Sequence, residues 1–263
     1  MAEVTVEMRR HSAAHMMARA IMNLFENVQV DIGPATDEGF YYDFDLPHRI
    51  STEDFPKIEA EIARLIALDE PFVRKEVSAD EAKQLLAGQQ YKLERLADVV
   101  ADGVAISTYT VGDYVEMCRG PHVEHAKQIG VVKLMKVAGS YYRGDEKNKM
   151  LQRVYGIIAK DEAEMKEILE RAEEAKRRDH RILGKQLKLF TVNDTVGPGL
   201  AHWLPRGARV RVAIENYWRQ KHYEAGYEVV YTPHVGKSNL WETSGHLSFY
   251  KDGMFPVMHV QEG

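Results

Sequence analysis

Cysteine is nearly absent. Cys118 is the only one in the chain, so no intrachain disulfide can form, and the disulfide-stapled class of small secreted domains is excluded. No apolar run approaches the roughly 18 residues a membrane helix needs, and Met1-Ala2-Glu3-Val4 lacks the basic-then-apolar pattern of a secretory leader. Positive charge is not in excess either. The 35 Lys and Arg stand against 40 Asp and Glu, for a net charge of -5, so a generic nucleic-acid coat is ruled out and any nucleic-acid contact must use a local patch. The patterns G-x-x-x-x-G-K-[ST], G-x-G-x-x-G, H-E-x-x-H and G-x-S-x-G do not occur, which leaves P-loop, Rossmann, zincin and serine-hydrolase readings without support. Internal repeats and low-complexity tracts are missing as well.

The composition is that of an ordinary globular protein, 44% hydrophobic and 29% charged over 263 residues, and the length favours two domains. Ala14, Ala18, Ile21, Met22 and Phe25 recur at helical spacing and predict a helix over 10–25. Gly33-Pro34 closes the next connection, and Gly39 to Phe44 reads as an aromatic strand. A second helix is expected with its cap at Ser51 or Thr52 and Phe55, Ile58, Ile62, Leu65 and Ile66 on one face. Next come a short helix over 79–86 and a mixed stretch with strand candidates at 104–109 and 131–137. Asp161 and Glu164 form a capping-box pattern at the head of a charged helix to about Arg181, the type of a solvated connector. Beyond it lie a long helix over 206–223, a strand over 227–233 and a further strand over 255–260 with a turn beginning at 261–263. The expected fold is α+β: an antiparallel sheet with packed helices in residues 1–160, a helical linker over 161–190, and a second unit over 191–263.

Two pairs carry chemistry. His11 and His15 sit at i and i+4, so on a helix both imidazoles leave one face. Cys118 and His122 repeat that gap in Glu116-Met117-Cys118-Arg119-Gly120-Pro121-His122. Either pair alone fits a solvated helix face or a buried small side chain. That the lone cysteine falls inside a matching pair favours a site. The set is competent for zinc, and equally able to position a water without metal, since histidine titrates near neutrality. A basic stretch with Lys133, Lys136, Arg143, Lys147, Lys149 and Arg153 interleaves with Tyr141, Tyr142 and Tyr155. Cations on phosphates and rings on bases make RNA binding feasible there, though composition alone favours a solvated charged loop beside core tyrosines.

Several motifs in one order resemble a known family. His11-Ser12-Ala13-Ala14-His15, Gly39-Phe40-Tyr41-Tyr42-Asp43, Met117-Cys118-Arg119-Gly120-Pro121-His122, Arg143-Gly144-Asp145-Glu146 and Met150 to Gly156 are similar to the editing domain of bacterial threonyl-tRNA synthetases, which alanyl-tRNA synthetase editing modules share more distantly. Asp179-His180-Arg181 with Gly184 to Leu187 looks like the link into an aminoacylation domain. The long helix and the strand ending at Pro233 resemble motif 1 of class II enzymes. Leu240 to His246 and Tyr250 to Phe255 match the segment C-terminal to that motif. The resemblance covers a fragment of the family. It lacks the ubiquitin-like N-terminal domain, motifs 2 and 3, the residues that hold the catalytic zinc, and the anticodon-binding domain. Residues 191–263 would then be the start of a class II domain. Glu116 departs from the family's usual Asp.

The resemblance implies hydrolysis of serine wrongly attached to threonine tRNA. Serine lacks one methyl relative to threonine, and a binding pocket discriminates a missing methylene by only ~1–3 kcal/mol, so a second sieve is physically needed. By similarity His11, His15, Lys92, Cys118 and His122 are catalytic, Tyr42 and Glu116 bind substrate with Glu116 on the serine amine, and Lys133, Lys136, Arg143, Lys149 and Arg153 bind tRNA. Lys92 and the histidines would orient a water and stabilise the oxyanion. A metal-free site is favoured; in the zinc alternative His11, His15, Cys118 and His122 hold the ion. Editing would need no cofactor, while ATP, Mg and a catalytic zinc belong to the full-length parent, a cytoplasmic homodimer that binds tRNA(Thr) and no membrane. The competing readings are a free-standing deacylase acting in trans, and a non-catalytic RNA- or zinc-binding protein.

Overall fold

The structure is a computed structural model that describes residues 4–256 and 258. Residues group into two compact units, Met1–Lys176 and Arg177–Gly263.

The first unit is built round one helix. Helix α1 (Val6–Leu24) starts four residues earlier than periodicity predicts, because Thr5 caps it with its hydroxyl accepting the Met8 N–H at 3.2 Å. Every residue from Ser12 to Ile21 is buried, so the helix is enclosed on all sides rather than amphipathic. Strand β1 (Gln29–Val30), strand β2 (Phe40–Asp45), helix α2 (Phe55–Ala67), strand β3 (Val73–Glu76), helix α3 (Ala79–Leu85) and helix α4 (Gln90–Ala101) come next along the chain. The hairpin of β4 (Ser107–Val111) and β5 (Tyr114–Met117) leads through a loop to the long strands β6 (Val131–Tyr141) and β7 (Met150–Ala159). Both sheets are antiparallel, in the orders β1-β2-β7-β6 and β3-β4-β5. On β2 the alternation sends Phe40, Tyr42 and Phe44 into the core that α1 and α2 cover, while Tyr41 and Asp43 face Tyr155 and Arg153 of β7 on the other side.

Side-chain competition moved several expected boundaries. Helix α2 is capped at Asp54, not at Ser51 or Thr52, because the Ser51 N–H donates to Asp54 Oδ2 at 2.8 Å and folds the preceding residues into a turn. The charged helix expected over 161–181 is two: α5 (Glu162–Arg177) and α6 (His180–Gln186). Asp179 starts the second by accepting the Arg181 N–H at 2.8 Å. At the head of α5, Asp161 Oδ1 accepts the Glu164 N–H as expected, while the return bond from Glu164 goes to the Lys160 N–H. The strand predicted from Val104 starts at Ser107, and α4, β5 and β7 lie in stretches where no element was assigned from sequence.

The second unit has a two-stranded ribbon of β8 (Phe190–Val192) and β9 (Ala201–Trp203), helix α7 (Pro205–Glu224) and two short helices, α8 (Asn239–Thr243) and α9 (His246–Phe249). The strand expected over 227–233 does not form. Tyr227 and Tyr231 are 65% and 89% exposed, and among the described residues no neighbour supplies the ladder that an isolated strand needs. Of the strand expected over 255–260, Phe255, Pro256 and Met258 carry no regular structure; its other residues and the turn at 261–263 lie outside the described residues. On α7, Ile214, Tyr217 and Trp218 are each more than half exposed.

One clamp ties the β4–β5 turn to α1. Arg19 donates to Glu70 and, from Nε at 2.8 Å, to Asp113. Arg19→Leu should lower stability by about 2 kcal/mol, less than the ~3–5 kcal/mol of a fully buried pair because Glu70 is part-exposed; urea unfolding followed by circular dichroism checks it. A polypeptide of residues 1–180 should stay in solution at higher concentration than the whole chain, since it omits the exposed apolar residues of α7. Light scattering across a concentration series reads this out, and a less soluble 1–180 would contradict it.

Candidate active site

The two sequence pairs converge. Helix α1 presents His11 and His15 one turn apart, with ring centroids 5.1 Å apart and planes nearly perpendicular. Cys118 follows β5 directly and is pinned to β4, its N–H donating to the Ser107 carbonyl and its carbonyl accepting the Ser107 hydroxyl at 2.7 Å. The loop then turns sharply. Gly120 sits at φ +73°, its N–H donates to Cys118 Sγ at 3.2 Å, and a Cβ there would lie 2.4 Å from the Tyr109 hydroxyl, so only glycine holds this turn. It returns His122 to the pocket, stacked on Phe72 at 5.2 Å and met edge-on by Tyr109. Cys118 Sγ lies 3.3 Å from Nε2 of both His11 and His122, and one donor atom from each of His11, His15, Cys118 and His122 falls within 4.8 Å of the others.

Hydrogen-bond partners tie the rings in place. Ser12 Oγ accepts the Val123 N–H at 3.1 Å and stands 3.0 Å from His122 Nδ1. Cys118 Sγ stands between the Nε2 atoms of His11 and His122. Burial sets the charges. It holds all three imidazoles below their ordinary 6.5: His15 well below, helped by the His11 and Lys92 charges, and His122 strongly, helped by His15 and His11. For His11 the burial effect is partly offset by Glu116. The Cys118 thiol is pushed up to about 11 by burial. At neutral pH the site is therefore a set of uncharged donors and acceptors, in which His15 Nδ1 is buried without a protein partner.

Beside it lies a buried carboxylate. Glu116 Oε1 takes the Lys92 ammonium, and Oε2 accepts both the Tyr42 and the Tyr114 hydroxyls, which stand 3.4 Å apart. Burial first and the Glu116 charge second push both tyrosines well above their ordinary range. Gly33 backs the Tyr42 ring so closely that a Cβ would sit 2.1 Å from it. Sequence reasoning missed Tyr114, Ser12, Tyr109 and Phe72. Tyr114 had a legible signal, since i and i+2 share one face of a strand and Glu116 is two residues on; the others announce nothing locally.

Four of the five basic residues are paired with carboxylates. Lys133 pairs with Glu59 at 2.8 Å, Arg143 with Asp98 at 2.7 Å, Lys149 with Asp45 at 2.7 Å, and Arg153 with both oxygens of Asp43 at 2.7 Å. Lys136 lies over the Tyr155 ring at 4.5 Å, as Arg153 does over Tyr41 at 3.9 Å.

The donor set also fits a zinc ion. The Cys–His spacings of 3.3 Å suit neighbouring vertices of a tetrahedron with bonds of ~2.0–2.3 Å, and the orphaned His15 Nδ1 is a spare donor.

The segment that supplies Glu116, Cys118 and His122 matches an accessory domain of tRNA synthetases: residues 106–155 match the family described as the threonyl and alanyl tRNA synthetase second additional domain. The whole chain is similar to the threonine-tRNA ligase of Dehalococcoides mccartyi, 48% identical over 255 residues, 97% of this chain and 44% of that protein. Similarity to the ligase of Rhodopirellula baltica is 49% over 262 residues, 99% of this chain and 35% of that protein; to that of Aquifex aeolicus it is 45% over 263 residues, 98% and 41%. The chain belongs to the bacterial threonyl-tRNA synthetase family and spans less than half the length of the curated relatives it matches.

The lowered histidines have a thermodynamic consequence. Their protonation is suppressed in the folded state relative to the ordinary 6.5, so below pH 6.5 the unfolded chain binds more protons and folding stability falls as pH falls. Above that pH the rings add no slope. Each fully buried ring contributes at most about 1.4 kcal/mol per pH unit. Urea midpoints for the first unit should drop between pH 7 and 5, and less steeply in His122→Asn.

Proposed function

We propose that the pocket of the first unit is an editing site that hydrolyses the seryl ester of mischarged tRNA(Thr), releasing serine and a tRNA with a free 3′ hydroxyl. The observation that carries this reading is the convergence of His11, His15, Cys118 and His122 beside the buried Lys92–Glu116 pair. In this reading the 3′-terminal adenosine brings the ester against the imidazoles, and a water held there attacks the ester carbonyl. Its proton passes to a neutral imidazole nitrogen and then to the departing ribose oxygen, so one C–O bond forms and one breaks. Uncharged histidines suit the task, because a protonated ring accepts nothing.

Glu116 and Lys92 act together. The seryl ammonium is the natural competitor for the carboxylate that Lys92 occupies. When it takes Glu116, the displaced Lys92 ammonium is free to face the developing oxyanion. Glu116 is one methylene longer than the Asp usual in the family, and that extra length spans to the two tyrosine hydroxyls that hold Oε2.

A metal-free water is favoured over zinc. His11, His15, Cys118 and His122 would hold the ion, and bound zinc supplies Lewis acidity; yet four protein ligands close a tetrahedron and leave no position for the attacking water. The five basic residues Lys133, Lys136, Arg143, Lys149 and Arg153 remain the tRNA-contacting set of the reading, contacts that exchange a carboxylate for a phosphate at four of them. Residues 191–263 are read as the start of a class II aminoacylation domain. In the longer relatives' pattern, threonine attachment to tRNA(Thr) with ATP, Mg and a catalytic zinc, in a cytoplasmic homodimer, belongs to the full-length enzyme.

Deacylation of seryl-tRNA(Thr) and threonyl-tRNA(Thr), with and without chelator, tests this. Serine alone should be released, with no effect of chelator. His11→Ala should slow release about 10²–10⁴-fold, the range of a lost acid–base group. Chelator-sensitive release transfers the four ligand-type residues to zinc, and release of threonine at an equal rate would sink the editing reading.

A further inference from the structure

The one buried ammonium beside the pocket, Lys92, is paired with Glu116. An RNA 3′ end arrives with a phosphodiester on every nucleotide, so something at the rim must take that charge. Other cations have partners: Arg74 pairs with Glu76 and Lys127 with Asp69, while Arg9 and Arg10 keep their charge but donate to the Ile129 and Thr36 carbonyls.

Arg119 is different. It sits between Cys118 and Gly120, is exposed, and among the described residues its guanidinium has no hydrogen bond or ion pair. The turn that carries it is held on both sides, by the Cys118 pairing with Ser107 and by Gly120 against Cys118 Sγ and Tyr109. Its Cα is therefore fixed about 3.8 Å along the chain from that of the pocket cysteine. The burial pattern alternates across the turn: Cys118 half-buried, Arg119 exposed, Pro121 exposed, His122 buried.

We propose that Arg119 is a substrate-binding residue at the pocket rim, holding a phosphodiester of the single-stranded RNA 3′ end so that the terminal nucleotide enters the pocket. The inference rests on the editing reading. A guanidinium suits it because its planar fork can grip two phosphate oxygens at once. Because the contact is made to the backbone, it is indifferent to the esterified amino acid and serves positioning rather than serine selection.

The test uses the whole chain and two readouts. The first is binding of an uncharged RNA acceptor hairpin with a single-stranded 3′ end, followed by fluorescence anisotropy across salt concentrations. Arg119→Gln should weaken binding about 3- to 10-fold and flatten the log–log salt slope by about 0.7, the value of one single-strand phosphate contact. Arg119→Lys should recover most of the slope and part of the affinity. The second is hydrolysis. Arg119→Gln should raise KM for seryl-tRNA(Thr) with kcat unchanged and leave hydrolysis of 3′-seryl-adenosine, which has no phosphodiester, at the wild-type rate, while His11→Ala slows both. Unchanged affinity and slope, or equal loss on tRNA and seryl-adenosine, overturns the role of Arg119. If the wild-type chain hydrolyses neither substrate the editing reading fails by itself, and the binding arm still decides for or against Arg119.

Discussion

A carboxylate cannot be buried alone. Glu116 is nearly inaccessible, and an unmatched charge in that position would cost several kcal/mol. The first unit meets the requirement from three directions: an ammonium from α4, one phenol from β2 and a second from β5. Those contacts join the three-stranded sheet, the four-stranded sheet and a helix that share no local sequence. Next to the matched carboxylate, His11 and His15 of α1 face Cys118 and His122. The polar network and the histidine cluster are two sides of one packing problem.

The same burial sets the chemistry. Taking three imidazoles and a thiol out of water leaves them uncharged, which suits proton relay better than ion pairing. Ser12 illustrates how far the order extends: one hydroxyl accepts from the Val123 N–H and stands 3.0 Å from His122 Nδ1, tying that ring to α1. Metal-ligating histidines are commonly oriented by such partners too. The arrangement thus suits either occupant, and the lack of an open coordination position is what separates them.

Charge on the sheet surface teaches the opposite lesson. Lys133, Arg143, Lys149 and Arg153 look in sequence like a basic patch, yet Glu59, Asp98, Asp45 and Asp43 come from distant elements to meet them. A tally of cations along a chain overstates the field they produce, because carboxylates far away in sequence are close in space. An arginine flanked by a cysteine and a glycine is inconspicuous in the same tally, though it keeps its charge.

Sequence by itself determined what depends on near neighbours. The four-residue gaps of His11–His15 and Cys118–His122, the strand alternation of Tyr42 and Phe44, the Asp161–Glu164 cap and the isolated cysteine are local patterns, and they sufficed for the α+β class and for pairing the four ligand-type residues; Lys92, Tyr42 and Glu116 came only with the family resemblance. Tertiary structure decided whatever required a partner. It made α1 a fully enclosed helix, gave Glu116 its phenols and Lys92, placed Ser12 and Tyr109 at His122, and left 227–233 without a strand. The physical reason is range. Periodicity, capping and turn chemistry act over a few residues, whereas burial, ion pairing and strand ladders depend on groups brought together from as far as 120 residues away, which only the folded chain specifies.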